Sequence, residues 1–326
     1  MDPSAFPASQ VAHRLAGLAL AAALFGVVPA APAQTPVEQP PPVRQSRAVS
    51  LVSAEELEAA ARQQYGELKR QAAAQGALAP DDYPALARVR RIAERLIAQS
   101  PRYNPRAAKW QWEVNVIGSQ QVNAFCMPGG KIAIYTGLLN RLKLTDDEIA
   151  VVTGHEMAHA LLEHGREQAG KQKASQWIAM GASVFSQVMG YGNLGGQIAG
   201  TGAQLLLLKY GRQDETEADD LGLELAARAG FDPRAALVLW RKMDAVSQGQ
   251  QAPPQWLSTH PSNAARMHDI EARLPAVLPL YAQTRGVAVA TLPPYTGAGG
   301  PGAGGPRAAA AAAAGAPTMP GPRTAQ

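Results

Sequence analysis

The sequence is short of several things, and each shortage removes a class of function. It holds one cysteine in 326 residues, which excludes an intramolecular disulfide framework and every CxxC-type metal or redox site. Its net charge is only +4, from 30 Lys+Arg against 26 Asp+Glu, and no basic block would track a phosphate backbone. Nucleic acid is therefore not an expected partner. Apolar stretches at 15–28 and 177–189 both fall below the roughly 20 residues that a bilayer span needs. Aromatic residues are few, at 6%, but Leu, Val, Ile and Ala are plentiful enough for a core.

What is abundant lies mainly at the ends. His13 and Arg14 precede the uncharged apolar run Leu15–Val28, and Ala31-Pro32-Ala33 follows. That order reads as an export signal over residues 1–33 with a small-x-small cleavage site near Ala33. Export to an oxidising compartment suits a chain that nearly avoids cysteine. Residues 34–49 are Pro- and Gln-rich and read as a linker. Residues 285–326 drift into Gly, Pro and Ala, including seven alanines from Ala308 to Ala314. Too few large apolar residues remain there to offset ordering entropy, so a disordered tail is expected. One folded domain over 50–284 is left.

Within that domain the signals alternate between helix and strand. Ser53 with Glu56, and Thr145 with Glu148, are capping-box pairs that open helices to about Gln75 and His164. A helix is expected from Pro84 to Ala98. Trp110, Trp112, Val114 and Val116 alternate with polar residues in strand fashion. Short extended stretches at 122–125 and 131–135 flank the turn Pro128-Gly129-Gly130. Helices follow at about 172–189, 197–209 and 214–229, and Asp232-Pro233 opens another as N-cap and N1. The expected fold class is α+β, mainly helical with one small sheet.

His155-Glu156-Met157-Ala158-His159 carries the chemistry. Residues four apart on a helix lie about 40° and 6 Å from each other, so both imidazoles lean toward one point. That point suits a tetrahedral zinc, with Glu156 beside it to take a proton from water. Chance alone produces such a string in roughly one in a hundred chains of this length, so its surroundings decide. Ala150, Val151, Val152, Met157, Ala160 and Leu161 give it the composition of a buried helix.

For the third ligand, His164 lies 140° around an unbroken helix from His159 and faces away, a helix-end or supporting histidine. Glu215-Thr216-Glu217-Ala218-Asp219 offers an alternative on a later helix. Glu215 and Asp219 share a face, so Glu215 could bind the metal while Asp219 fixes an imidazole tautomer. Glu217, about 200° away, points elsewhere. An acidic helix N-terminus favoured by the macrodipole would show the same cluster.

His155–His159, Arg212 before Glu215-x-x-Ala218-Asp219, Asn123-Ala124-Phe125 with Pro128-Gly129-Gly130, and Thr259-His260-Pro261 with Arg266-Met267 stand in one order. Together they resemble the HtpX-like gluzincin zinc metallopeptidases over about residues 50–275, and the soluble periplasmic BepA/LoiP-type branch in particular. The resemblance implies a gluzincin domain whose edge strand lies beside the HExxH helix, one zinc per chain, and ligands His155, His159 and Glu215, with Asp219 behind them. Glu156 would be the general base. Asn123, Ala124 and Phe125 would form the edge strand that pairs with an extended substrate. His260 would face the zinc, either as a fourth ligand closing the resting enzyme or as a donor to the transition state. Cys126 stands where the family carries another small residue and reads as a buried small residue.

The activity implied is periplasmic hydrolysis of misfolded or unassembled envelope proteins. A gated, chaperone-like quality-control role is the alternative. The implied partners are unfolded or misassembled envelope proteins and the outer-membrane assembly machinery, with a peripheral membrane contact, and the apolar 172–208 segment reads equally as a lid or as that contact.

Overall fold

The computed structural model describes residues 49–50, 52–172, 210–248, 255–261 and 264–297. The export signal, the linker up to residue 48, the helices expected between 173 and 209, and the tail past 297 lie outside the described residues. Among the described residues no helix is long and apolar enough to cross a membrane.

Helix α1 (Ala54–Ala74) starts where Ser53 Oγ accepts the amide of Glu56 at 3.3 Å. Its apolar positions Leu57, Ala61, Tyr65, Leu68 and Ala72 recur at helical spacing and are buried. They cover one face of a three-stranded sheet, against Met127, Ala133 and Tyr135. Helix α2 (Pro84–Ile97) has proline in its first turn and buries Leu86, Val89, Ile92 and Leu96 on the opposite side. The strands are β1 (Glu113–Ile117), β2 (Ala124–Met127) and β3 (Lys131–Tyr135), in the order β1-β3-β2. β1 pairs parallel with β3, and β2 pairs antiparallel with it.

The hairpin between β2 and β3 closes at Gly129 and Gly130, whose φ values are +78° and +77°. A Cβ on Gly130 would stand 2.6 Å from the Trp112 ring, so backbone strain and lack of space both demand glycine there. The alternation read from Trp110 onward begins later than expected, because Trp110 and Trp112 precede β1. It is also masked by burial: helices cover both faces, and even Asn115 is buried, donating to Tyr65 Oη at 3.0 Å.

After the short helix α3 (Thr136–Arg141), helix α4 (Asp146–Leu161) carries the HExxH string and packs beside β2. Its capping box is complete: Glu148 N donates to Thr145 Oγ1 at 3.2 Å, and Thr145 N to Glu148 Oε2 at 2.8 Å. Every residue from Glu148 to Leu161 is buried. α4 ends at Leu161, three residues before the expected His164, because Glu163 takes φ +58° and reverses the chain into α5 (His164–Gln172).

Helix α6 (Arg212–Arg228) runs against α4 at Gly154 and Gly222. A Cβ on Gly154 would lie 2.9 Å from Gly222 O, and one on Gly222 would lie 2.8 Å from His155 N. The two backbones touch there. Burying each large aliphatic of α4 stabilises by about 1.5–3 kcal/mol, which outweighs the roughly 1 kcal/mol that a helix-interior glycine costs. Helix α7 (Ala235–Ser247) begins two residues later than expected, with Asp232 Oδ1 accepting Arg234 N at 3.0 Å. Helices α8 (Gln255–Thr259) and α9 (Ala264–Arg285) follow. The packed chain continues past the expected boundary at 284: Tyr295 lies against the core, its Oη 3.2 Å from Thr145 Oγ1 at the cap of α4.

Candidate metal centre

The α4–α6 crossing dictates the site. His155 and His159 stand one turn apart on α4. The helices run antiparallel, so Asp219 meets His155 and Glu215, one turn earlier on α6, lies near both histidines. His260, at the end of α8, completes the group. One donor atom from each of His155, His159, Glu215 and His260 lies within 4.8 Å of the others, and all four residues are buried.

These distances match a metal polyhedron. His155 Nε2 and His159 Nε2 are 3.1 Å apart, and His155 Nε2 is 3.2 Å from His260 Nδ1. Glu215 oxygens lie 3.5 Å from each of the two α4 imidazoles and 2.8 Å from His260 Nδ1. Ligands about 2.0–2.1 Å from a tetrahedral zinc sit roughly 3.3 Å from one another. The donor set of three imidazoles and one carboxylate is likewise a zinc set. The residues present fit the ion.

The groups behind the ligands set their tautomers. Asp219 Oδ1 accepts from His155 Nδ1 at 2.9 Å, which leaves Nε2 bare toward the centre. His159 Nδ1 lies 2.9 Å from His164 Nδ1, whose Nε2 is 3.3 Å from Glu217 Oε2. Glu217 can only accept, so His164 carries its proton on Nε2 and accepts from His159 Nδ1–H. His159 Nε2 is thereby also bare. His164, read from the sequence as a helix-end or supporting histidine, thus stands behind His159, with Glu217 behind it in turn. Helix arithmetic turned both away, but the reversal at Glu163 restarts the chain as α5 and brings His164 back onto His159.

Arg266, buried on α9, ties the acidic side together. Its Nε and Nη2 donate to Asp219 Oδ2 and Oδ1 at 2.6 and 2.9 Å, and its Nη1 lies 2.5 Å from Glu215 Oε2. Nη1 also donates to Pro261 O at 3.1 Å, and the guanidinium lies 4.0 Å over the Trp240 ring. Burial opposes ionisation of Asp219, but the Arg266 charge and its hydrogen bonds outweigh that and hold the carboxyl low. Glu215 is held low against its burial by His260 and His155. Burial works against charge on His155, yet Asp219 and Glu215 raise it to about 9. His159 is pushed well below its ordinary value, by burial first and then by His155. The buried carboxylates stay ionised, as a cation site requires.

Glu156 points to the same centre. Its Oε1 accepts from Trp256 Nε1 at 2.5 Å and lies 3.5 Å from His260 Nε2. Trp256 also donates its backbone amide to Val122 O at 3.2 Å, at the entry to β2. Tyr210 stacks on His159 with centroids 3.8 Å apart and 21° between the planes. Neither aromatic had a signal in the sequence beyond proximity to a motif, and Arg266 stood in a motif without a role. Ala124 and Phe125 lie in β2, an outer strand of the sheet beside α4, and Asn123 immediately precedes it. Cys126 is buried on it, and burial raises its thiol well above the ordinary range.

The model of Peptidase family M48 matches residues 85–274. Mitochondrial metalloendopeptidase OMA1 of Schizosaccharomyces pombe is 36% identical over 196 residues, 60% of this chain and 55% of that protein. Its Arabidopsis thaliana counterpart is 41% identical over 155 residues, 48% of this chain and 30% of that protein. The beta-barrel assembly-enhancing protease of Escherichia coli is 28% identical over 176 residues, 52% of this chain and 36% of that protein. The chain thus spans between 30% and 55% of the length of these relatives. These relatives carry both mitochondrial and beta-barrel-assembly names, so the likeness extends beyond the single branch expected from the sequence.

Proposed function

The chain belongs to peptidase family M48, and from that premise we propose that it is a zinc endopeptidase acting on misfolded or unassembled proteins of the cell envelope. The observation that carries the reading is the convergence of His155, His159, Glu215 and His260 on one buried point with Glu156 beside it. Zinc held there would act as a Lewis acid on the scissile carbonyl and make water acidic near neutral pH. The protein's own groups supply the rest. Glu156 takes the proton from the attacking water and delivers it to the leaving amine. Asp219 and the His164–Glu217 pair keep the two α4 imidazoles in one tautomer.

β2 supplies the substrate track. Tyr135 N donates to Asn123 O at 3.1 Å, so Asn123, Phe125 and Met127 turn their backbone groups toward β3. Ala124 and Cys126 turn theirs outward, where an extended peptide can pair. Support for a periplasmic location and envelope substrates comes from the signal-like residues 1–33 and from the likeness to the beta-barrel assembly-enhancing protease. On this reading the outer-membrane assembly machinery is the partner, and any membrane contact is peripheral. Glu156→Gln protein should bind one zinc per chain and fail to cleave casein. Wild-type cleavage rates in that variant would overturn the mechanism.

A second reading, a quality-control factor with gated proteolysis, is favoured by one observation. His260 Nδ1 sits at ligand distance, so four protein donors can close the polyhedron, whereas a catalytic zinc keeps a position open. Trp256, on the same short helix, covers Glu156. His260→Ala should raise casein cleavage if the closed set restrains activity, and lower it if His260 stabilises the transition state.

A further inference from the structure

Beyond the metal, β2 leads into a second feature. At its C-terminal end, Cys126, Met127 and Pro128 border a cleft of about 440 Å³, counted with its open mouth. The far walls come from Ala54 and Leu57 of α1, Ala160 of α4 and Tyr210, and His159 forms its inner end. The cleft therefore adjoins the metal centre through His159 and the substrate track through Cys126.

We infer that this cleft is a specificity subsite for one large apolar side chain of the peptide, on the amino-terminal side of the bond to be cut. The inference rests on the endopeptidase reading. Three observations carry it.

The first is direction. A peptide laid antiparallel on β2, the pairing already used by β3 and the more stable of the two ladders, has its earlier residues beside Met127 and Pro128. His155, Glu156 and His260 lie toward the entry to β2, where Trp256 meets all three and donates its amide to Val122 O, and His159 is the ligand that reaches the cleft. A residue two or three places before the scissile bond then reaches the cleft.

The second is chemistry. The walls are Leu, Met, Pro, Ala and the tyrosine ring, and every charged group at the mouth already has a partner. Glu58 accepts from Arg106 at 2.7 Å and from Trp110 Nε1 at 3.0 Å, and Glu163 accepts from Arg166 at 3.1 Å. Arg166 also donates to Val52 O at 2.7 Å. Among the described residues no unpaired charge is left there to reward an acidic or basic residue, while an apolar one gains by leaving water.

The third is position: the cleft runs from Cys126, Met127 and Pro128 of the β2 end to the His159 imidazole, so a side chain leaving a peptide on β2 enters it directly. Ala54 and Leu57, which close it on the α1 side, lie outside the M48 match at 85–274.

The experiment uses the full zinc-loaded chain. Casein fragments sequenced by mass spectrometry should show large apolar residues enriched at one position, two or three before the cut. Peptides carrying Leu, Ala or Asp there are then compared in wild type and in Ala54→Trp, which fills the cleft. Wild type should prefer Leu over Asp in kcat/KM by about tenfold or more, the worth of one buried aliphatic side chain. Ala54→Trp should remove that preference through KM and leave the Ala peptide within about twofold. Equal use of Leu and Asp by wild type needs no variant to fold and would overturn the inference. So would an unchanged preference in folded Ala54→Trp. The same peptides titrated by fluorescence anisotropy onto zinc-loaded Glu156→Gln separate the two claims. A Leu preference in binding without any wild-type cleavage sinks the endopeptidase and keeps the subsite. Cleavage without preference does the reverse.

Discussion

His159 carries no direct carboxylate of the kind that holds His155. Its tautomer depends on a neutral histidine, His164, which is oriented in turn by Glu217. Supports of this kind behind a metal ligand are worth about 10–100-fold in affinity. His164→Phe should therefore weaken zinc binding by about that factor while helix content stays unchanged, read by competition with a zinc chelator. Asp219→Ala should cost at least as much, since it frees His155 Nδ1 and also leaves Arg266 without its best partner. At this scale, the sequence shows whatever obeys a single unbroken helix. His155, Glu156 and His159 follow from one helical turn, and Glu215 with Asp219 from another. The contact of His164 with His159 was hidden because Glu163 reverses the chain after α4, and its contact with Glu217 because α5 and α6 meet only in the fold. Trp256 and Tyr210 reach the site only through tertiary packing, which leaves no periodic trace.

Between elements, the decisive contact is α4 on α6. Two glycines let the backbones meet, and that approach brings Glu215 to the α4 histidines. Gly222→Ala would drive a methyl into His155 N. The substitution should destabilise the fold by about 1–3 kcal/mol and weaken zinc binding, with both effects seen in one metal-dependent melting series. Asp147, in the first turn of α4, gives a pH signature instead. Burial raises its carboxyl from 3.8 to about 6, with the neighbouring Asp232 and Asp146 adding to the shift and the Asp232 amide opposing it. Between those values the folded chain holds more protons than the unfolded one, so stability falls as pH rises through the window. Asp147→Asn keeps an acceptor for the Asp232 amide and should add about 1–2 kcal/mol at pH 8, discounted for partial exposure, and nothing at pH 4. Thermal midpoints at the two pH values check this. The helices and the hairpin turn were legible from caps and glycines. The sheet was less so, because burial of both faces erases the alternation that marks a strand.

For the whole molecule, the candidate metal site rests on three histidines and one glutamate: two histidines on α4, the glutamate on α6 and His260 just past α8. The domain boundary moved outward to include Tyr295, which the Gly- and Pro-rich composition around it concealed. Everything proposed for the activity depends on a metal at that point. The most direct test is metal analysis of the purified chain, paired with casein cleavage before and after chelation. One zinc per chain, cleavage lost with the chelator and restored by stoichiometric zinc, is the expected result. A chain that binds no zinc, or that cleaves equally well without it, would contradict the account.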